Sequence, residues 1–174
     1  MVLTWFVSNK TPAGDFTLPI EDMLLTYLRA QWCSAVTPAK STTPPTDFST
    51  KVRFGDFAYD YFSTYYIRVK EGDTEFNNDL ILDGTFQMKT AVNIDLTARR
   101  LKTGEHFAEL NNMRLEVIRI LGNFRPDDIS GIYMIEIEAP GERDIEPITL
   151  EGNRSIWYVR ITAYLHYIKG FTVS

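Results

Sequence analysis

The strongest pattern in the chain is an alternation of apolar and polar residues with a period of two. Across residues 86–98 the apolar side chains fall on even positions, and the charged and amide side chains fall on odd positions. Between Trp157 and Tyr167 the odd positions form a nearly unbroken apolar row. Successive side chains of a strand point to opposite faces of a sheet, so each segment predicts a long strand with one buried face.

Four other segments also predict strands. Aromatic residues occupy both faces of residues 57–70, which predicts a strand covered on both sides for part of its length. Residues 132–138 alternate, a Pro-Gly turn follows them, and residues 145–150 can pair back. The apolar residues 1–7 are expected to complete the sheet.

Two segments have the spacing of amphipathic helices. Residues 20–32 place apolar side chains at i, i+3, i+4 and i+7, after Pro19 at a favourable first helical position. This helix is expected to run for about 16 residues and to end before Pro38, because the residue before a proline avoids the helical conformation. A second stripe over residues 103–121 ends at Gly122, a residue type favoured just beyond a helix.

The order of these elements predicts an α+β fold, with a largely antiparallel or mixed sheet of long strands packed by two amphipathic helices. We expect one domain over residues 1–174. Residues 37–50, rich in proline and threonine, are predicted to be a loop. The acidic residues 71–85 are predicted to connect two long strands, and strands of this length can carry such a connection as a projecting hairpin tip.

Composition narrows the possible functions. The 174 residues include 18 basic and 23 acidic ones, and the net charge of -5 argues against nucleic-acid binding, which needs clustered Lys and Arg. Cys33 is the only cysteine, so a disulfide framework within one chain is excluded, and its apolar neighbours predict a buried, inert thiol. No signal peptide and no membrane span of about 20 apolar residues is recognisable. We expect a soluble, intracellular protein without a membrane partner.

Candidate chemistry is sparse along the chain. No nucleotide-binding, phosphate-binding or hydrolase motif is present, and neither His106 nor His166 has a partner at metal-ligand spacing. His106 is expected to be solvated at a helix start. We therefore expect no catalytic residue, no cofactor and no metal ligand. The acidic connection lacks the glycine and glutamate of a calcium loop, so its carboxylates are expected to face a lumen or a partner: Asp73, Glu75, Asp79 and Asp83.

The last strand carries its own candidate site on the even-numbered face. Because tyrosine and arginine are enriched among the residues that anchor interfaces, we predict a subunit contact there. Its four candidate residues are Tyr158, Arg160, Tyr164 and His166. A rival hypothesis is an enzyme or small-ligand site, in which a curved sheet brings Tyr164 and His166 together with Asp60 and Tyr65.

The element order and two segments carry a resemblance to a known family. These are YYIRVKEG at 65–72 and TAVNIDLTARRLKTGEHFAELNNMRLEVIRIL at 90–121, between an early helix and a late aromatic strand at 156–168. The chain resembles the tail-terminator (tail-completion) and neck proteins of long-tailed phages and related viruses. In that family a V-x-I-x-L strand is followed by an Ala-Arg segment, a short break and a long helix. The resemblance extends over residues 18–170, and the 37–50 and 71–85 segments exceed a minimal member.

The resemblance implies a structural function in the virion. Proteins of this family assemble as rings, commonly hexamers, at the head-proximal end of the tail tube. There they end tube polymerisation and join the tail to the head connector. The implied partners are further copies of the chain, the tail-tube protein and the head connector or adaptor, with DNA only passing through. The implied location is the virion tail or neck, and the host cytoplasm during assembly. Another head–tail adaptor or a tail-tube component is the alternative within the same assembly.

Overall fold

The structure, a computed structural model, describes residues 3–7, 19–33, 65–82, 85–100, 106–126, 128–150 and 154–173. Two α-helices and six strands lie in these ranges. The helices are α1 (Ile20–Gln31) and α2 (Phe107–Gly122). The strands are β1 (Leu3–Val7), β2 (Tyr65–Leu82), β3 (Thr85–Arg99), β4 (Ile132–Glu138), β5 (Glu146–Leu150) and β6 (Arg154–Val173). A short 3₁₀ turn, Glu142–Asp144, separates β4 from β5.

The sheet is organised around β6, which is 20 residues long. One edge of β6 pairs with β3 along the whole of β3, and β2 pairs with the outer edge of β3. The opposite edge of β6 pairs in succession with β5, β4 and β1. Every one of these pairings is antiparallel. The predicted α+β class with a largely antiparallel sheet and two helices is therefore confirmed.

The hydrophobic core lies between one face of this sheet and the two helices. The register places Ile94 of β3 opposite Ile161 of β6, and both side chains are completely buried. Full burial of one such side chain stabilises the folded protein by about 1.5–3 kcal/mol. The same cluster contains Leu24 and Leu28 of α1 and Leu110 of α2. The apolar rows of β3 and β6 thus form one shared core surface, as their alternation predicts.

A charged clamp joins the end of α1 to α2. The Arg119 guanidinium donates hydrogen bonds to the Gln31 carbonyl at 2.9 Å and to the Glu116 carboxylate at 2.6 and 2.7 Å. Glu116 also accepts the backbone N–H of Cys33 at 2.7 Å. Burial by itself would raise the pKa of Glu116, but the bonds from Arg119 and Cys33 outweigh it and lower this pKa. The clamp satisfies a carbonyl and an amide that the end of α1 leaves without helical partners.

The prediction that residues 71–85 form an acidic connection is wrong over most of this segment. Strand β2 continues to Leu82, and only residues 83–84 separate it from the start of β3 at Thr85. The β2–β3 hairpin does not extend away from the sheet, since β3 pairs with β6 as far as Thr85. Two register shifts interrupt β2. At the first, a Cβ on Gly72 would approach the Ala91 carbonyl oxygen to 3.3 Å, so glycine permits this close pairing.

Three further predictions need correction. Helix α1 ends at Gln31, and α2 begins only at Phe107, after His106 in the left-handed conformation with φ 68°. Cys33 lies beyond the end of α1 and is exposed, so the prediction of a buried thiol is wrong. The predicted 37–50 loop and the first part of the predicted 57–70 strand lie outside the described residues.

The packing of the core predicts that two leucines on α2 contribute very differently to the free energy of unfolding. Leu110 of α2 is completely buried, whereas Leu115 is 50% exposed. Leu110→Ala should lower the free energy of unfolding by about 2–5 kcal/mol, because it leaves a cavity. The matched change Leu115→Ala should alter it by no more than about 0.5 kcal/mol. Urea denaturation measures both, and equal losses would contradict this packing.

The clamp predicts a pH-dependent effect of Glu116→Gln. A carboxyl whose pKa is lowered by folding stabilises the protein above its unfolded pKa, near 4.5, and this contribution is lost as the pH falls through the folded pKa. The stability gap between wild type and Glu116→Gln should therefore narrow in acid. Urea denaturation at about pH 7 and about pH 3 measures the gap. Glu146→Gln, at an exposed position, is the control. If the difference in the free energy of unfolding between wild type and Glu116→Gln were the same at both pH values, the clamp would be contradicted.

Candidate functional site

The candidate site is the sheet face opposite the core, called the polar face below. The register of β3 and β6 places Lys89 opposite His166, Asn93 opposite Thr162, and Asp95 opposite Arg160. Strand β4 adds side chains to this face at the positions opposite His166, Tyr164 and Thr162 of β6. The polar face therefore comprises Lys89, Ala91, Asn93, Asp95, Thr97, Met134, Glu136, Glu138, Tyr158, Arg160, Thr162, Tyr164 and His166.

Asp95 fixes two of the predicted contact residues. Its Oδ1 accepts hydrogen bonds from the Tyr158 hydroxyl at 2.8 Å and from Arg160 Nε at 2.7 Å, and its Oδ2 accepts one from Arg160 Nη2 at 3.3 Å. The Asp95 side chain is only 4% exposed, whereas that of Arg160 is 46% exposed. The hydrogen bond to Asp95 raises the pKa of Arg160, so the guanidinium stays charged. Tyr158 and Arg160 are thus held by a buried carboxylate.

Lys89 forms the second cluster of the polar face. Its ammonium lies 3.0 Å from Glu136 Oε2 and 4.4 Å from the centre of the Tyr164 ring. The hydrogen bond between Lys89 and Glu136 raises the pKa of Lys89 and lowers the pKa of Glu136. The Tyr164 hydroxyl in turn donates to Glu138 Oε2 at 3.2 Å. Tyr164 is therefore held by groups from β3 and β4, the strands on either side of its own.

The sequence predicts a wet or subunit-facing position for His166, and the structure leaves little of this side chain exposed. It is only 7% exposed and lies under the Lys89–Glu136 pair, with its ring centre 6.1 Å from that of Tyr133. Its Nε2 is 3.4 Å from Glu136 Oε2, and none of the described residues forms a hydrogen bond with this nitrogen. Long side chains from the two neighbouring strands reach over a residue on the central strand, and strand alternation alone does not reveal this cover.

His106 is also less solvated than predicted. Its Nδ1 lies 2.9 Å from the Tyr65 hydroxyl, and the two rings meet edge to face with centres 5.3 Å apart. Burial, together with the charge of Glu109, raises the pKa of Tyr65. The histidine occupies the N-cap position of α2 and contributes no capping hydrogen bond from its side chain. Its contacts fasten the start of α2 to the start of β2.

The residues of the rival ligand pocket do not come together. Tyr65 pairs with Ala98, whereas Tyr164 pairs with Ala91. Ala91 and Ala98 are about 23 Å apart along β3, and because the offset between them is an odd number of positions, Tyr65 and Tyr164 belong to opposite faces of the sheet. Asp60 lies outside the described residues. Within the ranges that the structure describes, no group of three or more His, Cys, Asp or Glu side chains is arranged to hold a metal ion.

Of the four predicted acidic residues, Asp73 and Glu75 are the two whose side chains the structure describes. Asp73 and Glu75 are exposed on β2, and Glu75 lies opposite Lys89, whose pKa it helps to raise. Asp79 is part of β2, and Asp83 is outside the described residues. Glu75 is therefore a neighbour of the polar face rather than part of a separate tip.

Asp95 is the residue that sequence reasoning missed. The alternation of β3 placed it on the polar side, but gave no sign that it is buried or that it binds Tyr158 and Arg160. The available signal was charge complementarity between Asp95 and Arg160. That signal becomes usable only when the register of β3 against β6 is known.

A scan against protein-family models matches no family. A search of curated proteins also finds no matching sequence. Of the helices that the structure describes, none has the length and apolar character needed to span a membrane.

The Asp95–Arg160 pair predicts measurable energetic coupling. In a double-mutant cycle with Asp95→Asn and Arg160→Gln, urea denaturation should give a coupling of about 1–2 kcal/mol, because the carboxylate is buried although water partly screens the guanidinium. A matched cycle with Lys89→Gln and Glu136→Gln should give a smaller value, since both side chains are substantially exposed. Zero coupling at the first pair would contradict the role of Asp95.

Proposed function

We propose that this chain is a structural virion protein that forms a homo-oligomeric ring at the head-proximal end of a viral tail tube. In that position it ends tube polymerisation and joins the tail to the head connector. The element order supports the proposal: α1, the β2–β3 hairpin, α2 and a long closing strand follow one another as in the family that the sequence resembles. The partners proposed are further copies of the chain, the tail-tube protein and the head connector or adaptor.

The polar face is the observation that carries this proposal. Its exposed arginine and its half-buried tyrosines are held in place, Arg160 and Tyr158 by Asp95 and Tyr164 by Glu138 and Lys89. Arginine and tyrosine contribute much of the binding energy at protein interfaces, and side chains already fixed lose little entropy on association. Together these two properties favour assembly as the use of this face.

Ring assembly needs two different patches on each subunit, because a heterologous contact closes a ring only when unlike surfaces meet. The polar face supplies one patch in this proposal. The net charge of -5 suits a ring through which DNA moves, since the protein as a whole does not attract the phosphate backbone. We propose no specific DNA site. A head–tail adaptor or a tail-tube component is the alternative within the same assembly.

A ligand-binding or enzymatic function is the alternative from another class. That function required Tyr65 to lie beside Tyr164 and His166. Tyr65 is on one face of the sheet, whereas Tyr164 and His166 are on the other. The contact pattern therefore favours assembly over that particular pocket.

Light scattering coupled to size-exclusion chromatography tests the proposed ring. A hexamer should have a mass about six times that of one 20.0 kDa chain. Negative-stain images of the same fraction should show closed rings with a central opening. A mass of one chain at every concentration, with no rings in the images, would contradict the proposal.

A double variant tests whether the polar face makes the contact. Tyr164→Ala combined with Arg160→Lys removes two anchors but keeps a cation beside the buried Asp95. It should reduce the oligomeric fraction at least about tenfold, while the thermal midpoint of the dissociated chain changes by only a few degrees. Leu115→Ala, on the exposed side of α2, is the control and should assemble normally. Normal assembly of the double variant would exclude the polar face as the contact.

A further inference from the structure

A cleft borders the edge of β4 that is unpaired within the described residues. Its volume is about 410 Å³, and it lies between β4 and the C-terminal end of α2 with the loop that follows this helix. The apolar side chains that line it include Leu121, Phe124, Ile135 and Ile137. Ile135 and Ile137 point to the core side of the sheet but stay half-buried, since α2 ends before it covers them. The cleft is therefore an unfilled extension of the core.

Within the part of the chain that the structure describes, the backbone of β4 is unpaired along the edge beside this cleft. Of the strands that the structure describes, only β6 pairs with β4, along one of its edges. The second edge of a strand offers a row of backbone N–H and C=O groups that can pair with another extended chain. On β4 this row runs next to the mouth of the cleft. An added strand would thus gain main-chain hydrogen bonds and an apolar site for its side chains at the same place.

The charge around this edge indicates which kind of segment fits. Glu136 and Glu138 are exposed on the polar side of β4, and Glu142 and Asp144 are exposed just after it. Lys89 pairs with Glu136, and Arg114 donates a hydrogen bond to the Pro140 carbonyl at 2.6 Å. Arg125 and Arg143 are exposed in the loops beside β4, so Glu138 is the carboxylate on the strand itself that no cation neutralises among the described residues. A second copy of β4 paired edge to edge would place like carboxylates close together, which is unfavourable. A segment that carries Lys or Arg on its polar side is complementary instead.

We propose that β4 is a docking edge for an extended peptide segment of a partner protein. The segment adds to the sheet as a further strand, places apolar side chains at every second position into the cleft, and presents basic side chains to Glu136 and Glu138. The docking edge shares Glu136 and Glu138 with the polar face, but its backbone pairing and its cleft lie outside the proposed ring contact. The proposal does not depend on the tail assignment.

Three synthetic peptides test the proposal by fluorescence anisotropy on the full chain. The first is fluorescein-labelled Lys-Val-Lys-Leu-Lys-Val-Gly with an amide end. The second replaces each lysine by glutamate, and the third is the basic peptide with N-methylated valine and leucine. The basic peptide should bind, and the other two should bind at least about tenfold more weakly, because one is repelled and the other cannot pair its backbone. Equal binding of all three, or none, would overturn the proposal.

Hydrogen–deuterium exchange then locates the bound peptide. Amides of β4 should be protected when the basic peptide is present. Protection confined to other strands would overturn the assignment of this edge.

A pair of matched variants tests the charge rule. Glu138→Lys should weaken binding of the basic peptide at least about fivefold. Glu146→Lys on β5 makes the same change about 13 Å further along β6, because Glu146 faces Tyr158 and Glu138 faces Thr162. This control should bind like wild type, and circular dichroism should show that both variants are folded. Equal losses in the two variants would mean only nonspecific charge attraction and would overturn the proposal.

Discussion

The pairing of β6 along both of its edges is the constraint on which the rest of the structure depends. β3 pairs with one edge over its whole length, and β5, β4 and β1 share the other. Each pairing fixes a register, and a shift of one residue would turn every side chain of a strand to the opposite face. Strands far apart in the sequence therefore place their apolar residues against the same two helices. The division into a core face and a polar face follows from this register.

The same register creates the polar clusters. Asp95 meets Arg160 because β3 and β6 bring these positions side by side, and Lys89 reaches Glu136 across the strand that lies between their own. Charges from β3 and β4 thus fasten side chains of β6 from both directions. The core holds the strands on one side, and these ion pairs hold the tyrosine and arginine side chains on the other. This arrangement is what makes the polar face suitable for assembly.

The sequence predicted those features that depend on local periodicity. The alternation in β3 and β6 and the stripes of the helices gave the α+β class, because each pattern reports which side of an element is buried. Features set by pairing could not be predicted in this way. Residues 71–82 look like a connection, yet pairing with β3 makes them a strand. His166 looks like a residue of a wet or subunit-facing surface, yet within the chain the Lys89–Glu136 pair covers it. Cys33 looks buried, yet α1 ends before it.

The central claim is that the polar face is covered when the chain assembles while the outer side of α2 stays exposed. Hydroxyl-radical footprinting of the assembled and dissociated protein, read by mass spectrometry, measures this side chain by side chain. Oxidation of Tyr158 and Tyr164 should fall several-fold on assembly, and that of Leu115, which is 50% exposed, should not change. Unchanged oxidation of both tyrosines in an oligomeric sample would contradict the account.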